Sequence, residues 1–281
     1  MNGQSPKGFH KFPAARGLAW VTGSWGLVKR QPIRLLLISL FLQFFLSFSQ
    51  AGVLGLLVIL CFPALTAGML HAFYSVERGE KPNLAILFMP FTSTKTLSSL
   101  ILLGAVLMVL GFLAITLVMS GQVMNIDPEV LSRIEQGDLD ALQLIDPKVM
   151  ENAVFAMAIG AAFSGSLSYF AVPLIWYKKY GVGSAIMVGL KALAQNWRPL
   201  LVIGALLGIL AVPIGLLFGA FYLSALSGGT ASPILAFLIL LLGPMFQLLL
   251  FGTQYLAFRD IFALGSNTDT GERSKDDQLV A

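Results

Sequence analysis

Long apolar runs separated by short polar clusters set the rhythm of this chain. Six runs, at about 33–50, 52–76, 97–120, 152–176, 199–223 and 233–258, are long enough to cross a bilayer. A hydrocarbon core of about 30 Å takes roughly 20 residues of helix. An isolated run in lipid must satisfy its own backbone, so all six are predicted to be α-helices. The first, IRLLLISLFLQFFLSFS, sits near the lower limit of length, and only Gln50 and Ala51 part it from the second. That join requires a tight hairpin.

A shorter amphipathic stretch precedes every other run. Leu18, Val21, Trp25 and Val28 share one helical face, away from Arg16, Thr22 and Lys29, and Pro32 starts the first span. Ile186, Leu190, Leu193 and Trp197 face away from Ser184, Lys191 and Gln195, before Arg198-Pro199 starts the fifth. Leu84, Leu87, Phe88 and Phe91 make a third stripe, interrupted by Pro90. Tryptophan beside lysine or arginine at helical spacing fits a helix lying in the membrane interface. For the third stripe, packing on the protein itself is an equal alternative.

The chain therefore parses as an all-α polytopic integral membrane protein. Its six transmembrane helices form three hairpins, each preceded by an interfacial amphipathic helix. The hairpin units run over about 13–78, 82–179 and 182–260 within a single membrane domain, 1–264, and a polar cytoplasmic tail, 265–281, is expected to be disordered. Pro63, Tyr74 and Arg78 in the second span recur at the same offsets as Pro244, Tyr255 and Arg259 in the sixth. The middle unit departs from this echo, with Pro173 late in its second span and WYKKY at 176–180. An aromatic followed by a cation suits the level where apolar surface gives way to water, so Tyr74, Arg78, Tyr255 and Arg259 are read as interfacial anchors with Trp25 and Trp197.

Composition agrees with a bilayer. The chain is 57% hydrophobic and 11% charged, with a mean hydropathy of +0.82, whereas a soluble domain is about 25% charged. The placement of its cations accounts for the net charge of +4 without nucleic acid. Of 18 lysines and arginines, 16 lie in the N-terminal region, the second and fourth connections and the tail; only Arg133 and Lys148 lie on the opposite face. The positive-inside rule then puts both termini in the cytoplasm. The single cysteine, Cys61, excludes an internal disulfide, and no cleaved signal peptide is expected from MNGQSPKGFHKFPAARG.

The third connection, about 121–151, is acidic. Asp127-Pro128 and Asp146-Pro147 each place a capping acid before a proline at the first helical position, and Gly137 closes the first short helix. This predicts a small ordered cap on the far side of the membrane. Glu129, Glu135, Asp138 and Asp140 lack cation-loop spacing and read as a solvated face.

Candidate chemistry is sparse. Ionisable groups that serve a transport path lie inside the bilayer despite their cost, and here only His71 qualifies, about one turn before Tyr74. His10 lies in an N-terminal stretch expected to be mobile. Thr66 and Gln247 share an offset of three from Pro63 and Pro244 and are expected to meet in a central polar contact, with Gln254 and His71 completing a candidate polar path. Glu77, Glu80 and Asp260 beside Arg78 and Arg259 read as rim charges. No nucleophile elbow, phosphate loop or metal spacing occurs, so no catalytic residue, cofactor or metal is expected. Gly204, Gly208, Gly215 and Gly219 lay a small-residue groove along the fifth span, and the Ala/Gly/Ser-rich fourth is the expected partner.

Three stretches, SWGLVKRQPIRLLL (24–37), FPALTAGMLHAFYSVERGEKP (62–82) and QYLAFRDIF (254–262), resemble a family of six-span bacterial inner-membrane proteins. That family is distantly similar to the membrane domain of some glycerophosphodiester phosphodiesterases. The resemblance implies residence in the bacterial inner membrane and brings no activity with it. The leading reading is a non-enzymatic scaffold or organising factor contacting membrane lipids and other membrane proteins or itself. A small permease or lipid-handling protein is the alternative, and an interface enzyme the third. Reporter fusions at Gly137 and at the C-terminus are expected to report opposite sides of the membrane; agreement between them refutes the six-span topology.

Overall fold

The computed structural model describes residues 9–50, 52–120, 127–136, 138, 141, 144–226 and 232–264, and these are helical with no strand among them. The helices are α1 (Ala15–Arg30), α2 (Pro32–Ser47), α3 (Gly52–Glu77), α4 (Thr94–Met119), α5 (Pro128–Glu135), α6 (Pro147–Lys178), α7 (Val182–Gln195), α8 (Trp197–Leu226) and α9 (Pro233–Ile261). Short 3-10 segments at Phe48–Gln50 and Leu84–Thr92 complete the order. By length and composition, α3, α4, α6, α8 and α9 are each able to cross a membrane, which makes this a multi-pass membrane protein. The first expected span forms α2, only 16 residues long, and continues as 3-10 turn rather than α-helix. Both aspartate caps form as their spacing dictates. Asp127 accepts from the Glu129 amide and Asp146 from that of Lys148, each at 2.9 Å. Gly137, Asp140 and the tail 265–281 lie outside the described residues.

The helices gather into two compact units that do not follow the hairpin boundaries. One holds 1–41, 69–86 and 191–281; the other holds 42–68 and 87–190. In the first, α1 packs on α8 and α9, and Trp20, Ser24, Leu27 and Val28 are buried. The amphipathic stripe read from the sequence lies beside this face and shares Val28 with it, while its Leu18 and Trp25 are exposed. Gly17 brings α1 so close to α8 that a methyl there meets the Pro199 carbonyl oxygen, and Gly252 of α9 is closed over by Ser24 and Phe73. The N-terminal stretch is tied down from Phe9 onward, contrary to the mobility expected for it. The His10 amide donates to the Ile261 carbonyl at 2.7 Å, and buried Asn196 takes the Phe12 amide at 2.9 Å and donates to the His10 carbonyl at 3.0 Å.

In the second unit, α4 packs along α6. Gly104 of α4 faces the Leu60 carbonyl, and Gly68 of α3 faces the backbone of Leu87, which is fully buried in the 3-10 segment. At the end of α6, Lys179 adopts a left-handed conformation (φ 58°). Its ammonium lies 4.6 Å from the Trp176 ring centre and 3.4 Å from Thr96 Oγ1, and burial lowers its pKa.

The four glycines of α8 are not packed in this way. A methyl at Gly204, Gly208, Gly215 or Gly219 meets nothing within 4 Å among the described residues. The packed face of α8 is that of Ile203 and Leu207, beside the glycines. Gly104→Ala is accordingly expected to lower the thermal unfolding midpoint of the detergent-solubilised protein, at a cost of about 1–3 kcal/mol. Gly204→Ala leaves the midpoint unchanged or raises it slightly, because alanine is the better helix former. Equal losses at both positions count against this packing.

Candidate functional site

A polar cluster joins the start of α1, the end of α3 and the end of α9 in the first unit. Arg16 and Trp20 are one turn apart on α1 and reach the same carboxylate. Arg16 donates through Nε and Nη2 to Asp260 Oδ2 at 2.9 and 2.6 Å, and Trp20 Nε1 donates to that oxygen at 2.8 Å. Oδ1 of Asp260 accepts from Nε and Nη2 of Arg259 at 2.9 and 2.7 Å. The remaining Nη1 of Arg259 donates to Glu77 Oε1, and the Tyr255 hydroxyl, one turn earlier on α9, donates to Glu77 Oε2. The Asp260 side chain is 8% exposed and that of Glu77 29%.

Two cations and two anions cancel here. A charge out of water is tolerated only when it is paired and hydrogen-bonded, and this cluster meets both conditions. An ionised carboxylate offers about four lone-pair sites, and five N–H groups converge on Asp260. Nothing is left on it to accept a proton or hold a cation. Both oxygens of Glu77 are likewise occupied by side chains of α9. The chemistry of the cluster is that of a latch between three helices.

The rim-charge reading of Glu77, Arg259 and Asp260 is therefore corrected, and so is the anchor role of Tyr255, which is 1% exposed. Tyr74 and Arg78 do lie at the surface. Arg78 Nη1 donates to the Tyr74 hydroxyl at 2.7 Å, its guanidinium sits 5.4 Å from the ring centre, and that hydrogen bond raises its pKa. Trp25 and Trp197 are also exposed, with Lys29 and Arg198 each 5.5 Å from the ring centre.

The candidate polar path is arranged differently from its expectation. Gln247 is taken by Ser39 of α2, whose Oγ lies 2.6 Å from Oε1. Thr66 belongs to the second unit, and its buried hydroxyl has no hydrogen-bond partner among the described residues. His71 is half-buried and stacks on Tyr74 with ring centres 5.4 Å apart, while Gln254 is buried beside Thr253. Sequence reasoning missed Arg16, Trp20, Ser39 and Asn196. A signal for the first two existed in their four-residue spacing, on the face that also carries Gly17 and Ser24.

Among the described residues no group of three or more His, Cys, Asp or Glu is placed to hold a metal ion. The chain matches no family model, no curated protein and no solved structure.

Asp260→Asn leaves Arg16 and Arg259 facing an amide with one acceptor oxygen. The expected loss is about 2–3 kcal/mol of stability, seen as a lower thermal midpoint in detergent. Arg78→Gln, at the surface, is expected to leave the midpoint unchanged.

Proposed function

We propose that this chain is a non-enzymatic scaffold of the bacterial inner membrane, spanning it six times with both termini in the cytoplasm. The observation that carries this reading is the Arg16–Asp260–Arg259–Glu77 quartet, in which Asp260 is saturated with donors and each Glu77 oxygen is bonded by a side chain of α9. An interface enzyme acting through Glu77 or Asp260 loses its reactive groups to that latch. The six-span topology draws its support from the 16-to-2 asymmetry of lysine and arginine. It also requires α2 with its 3-10 turn, Pro32–Gln50, to cross as the short first span.

The partners this reading implies are lipids and the helices of other membrane proteins or of a second copy. Broad apolar faces support it: Ile209, Val212 and Leu216 of α8 and Ile234, Phe237 and Leu240 of α9 all point outward. One observation favours the lipid-handling alternative. An apolar cavity of about 310 Å³ in the second unit is lined by Phe62, Pro63 and Leu107 together with Ser49, Ser164 and Ser168.

Vesicles reconstituted with the full chain decide between these readings. A scaffold leaves lipid flip-flop and solute uptake at the rate of protein-free vesicles. Sustained flux that falls in His71→Ala and Gln247→Ala replaces the scaffold with a permease.

A further inference from the structure

A second feature of the first unit goes beyond the scaffold reading and rests on one part of it, the crossing of α2 as the first span. Arg34 stands in the first turn of α2, two residues after Pro32, and lines a cleft of about 450 Å³. This is within the usual size of a small-molecule site, about 300–1,000 Å³. Beside Arg34 the cleft is walled by Leu37 and Ile38 from α2 and by Leu84 and Ala85 from the segment after α3, with the exposed Asn83 at its edge. Leu37 and Leu84 are about half exposed although large and apolar. One end of the cleft is thus cationic and the rest hydrocarbon.

Arg34 lacks a counter-charge of its own. It is exposed, and one of its five donors reaches the Pro82 carbonyl at 3.3 Å. The acids among the described residues of this unit are Glu77, Glu80 and Asp260. Each is held by another arginine: Glu77 by Arg259, Glu80 by Arg78, and Asp260 by Arg16 and Arg259. Lys81, next to Pro82 in the chain, adds a further positive charge nearby. A guanidinium with unspent donors in a planar fork suits a phosphate or carboxylate, taken through two N–H groups at once. An anion alone leaves the apolar walls bare, and a neutral hydrocarbon leaves Arg34 unpaired. A molecule with both parts fits.

We propose that this cleft binds a phospholipid of net negative charge, its phosphate on Arg34 and its acyl chain along Leu37, Ile38 and Leu84. The order of groups follows the chain: the cation lies nearest the start of the span and the apolar wall one turn deeper, as headgroup and tail are ordered in a leaflet. A cation near an anionic membrane surface contributes about 1 kcal/mol to such binding.

The test uses the purified full chain in non-ionic detergent micelles doped with phosphatidylglycerol or phosphatidylcholine, with retained lipid counted by native mass spectrometry. Wild type is expected to retain phosphatidylglycerol over phosphatidylcholine. Arg34→Gln is expected to weaken that retention about fivefold, and Arg34→Lys to restore part of it as a point charge without the fork. Lys191→Gln removes the same charge from an exposed site elsewhere and is expected to change nothing. If Lys191→Gln costs as much as Arg34→Gln, retention is general surface electrostatics and the proposal falls. If millimolar inorganic phosphate displaces the lipid, the cleft is a free-anion site and the proposal falls likewise.

Discussion

One buried carboxylate and one half-buried impose the strictest condition on this fold. Asp260 and Glu77 each need donors on both oxygens, and those donors have to come from helices distant in sequence. Arg16 and Trp20 arrive 240 residues or more before Asp260, and Glu77 is 182 residues from Arg259. Satisfying the acids therefore sets the approach of α1 and α3 to the end of α9. The close contacts at Gly17 and Gly252 follow, because bulk at either glycine holds the helices too far apart for the hydrogen bonds to close. Asn196 extends the same logic to the N-terminal strap, supplying an amide where the backbone of His10 and Phe12 lacks a partner.

The repeated Pro, Tyr and Arg of α3 and α9 show how one pattern takes two physical forms. After Arg78 the chain leaves its helix through Gly79 at φ 79°, and the side chain lies in solvent over Tyr74. After Arg259 the helix continues, and the next residue is an acid rather than glycine. Arg259 is thereby drawn along α9 onto Asp260 and across to Glu77. The acid of α3 falls before its arginine and that of α9 after it. Glu77 consequently meets Arg259 of α9, while Arg78 turns to Glu80 and Tyr74. Spacing within each helix is the same, but pairing between the two helices depends on how their axes meet.

Much of the architecture was legible because lipid leaves a helix few alternatives. Apolar run length marks α3, α4, α6, α8 and α9, and the Asp-Pro pairs mark the starts of α5 and α6. The glycines were less legible. Four on α8 make a recognisable motif and face open space, whereas the isolated Gly17, Gly68 and Gly104 sit where backbones approach and Gly252 sits under Ser24 and Phe73. A small-residue spacing states that a helix is able to come close; whether it does depends on the shape opposite, which no single segment contains. The same limit hid the latch. Asp260 and Arg259 look like ordinary rim charges until α1 is placed beside them.

The distribution of burial gives the latch its wider consequence. On α9 the buried residues run from Pro244 and Leu248 through Phe251–Phe258 to Ile261, all toward the charged end. On α8 Ile203 and Leu207 are buried, while Ile209, Val212 and Leu216 further along are exposed. Internal packing of the first unit is therefore concentrated around the polar cluster, and the opposite halves of these helices present hydrocarbon outward. Between apolar helices in lipid there is no hydrophobic drive to associate, so those halves gain little by packing on one another. A cluster of directional, charge-assisted bonds at one end supplies what burial does not at the other. It leaves the outer apolar faces open to the bilayer and to any helix that enters it.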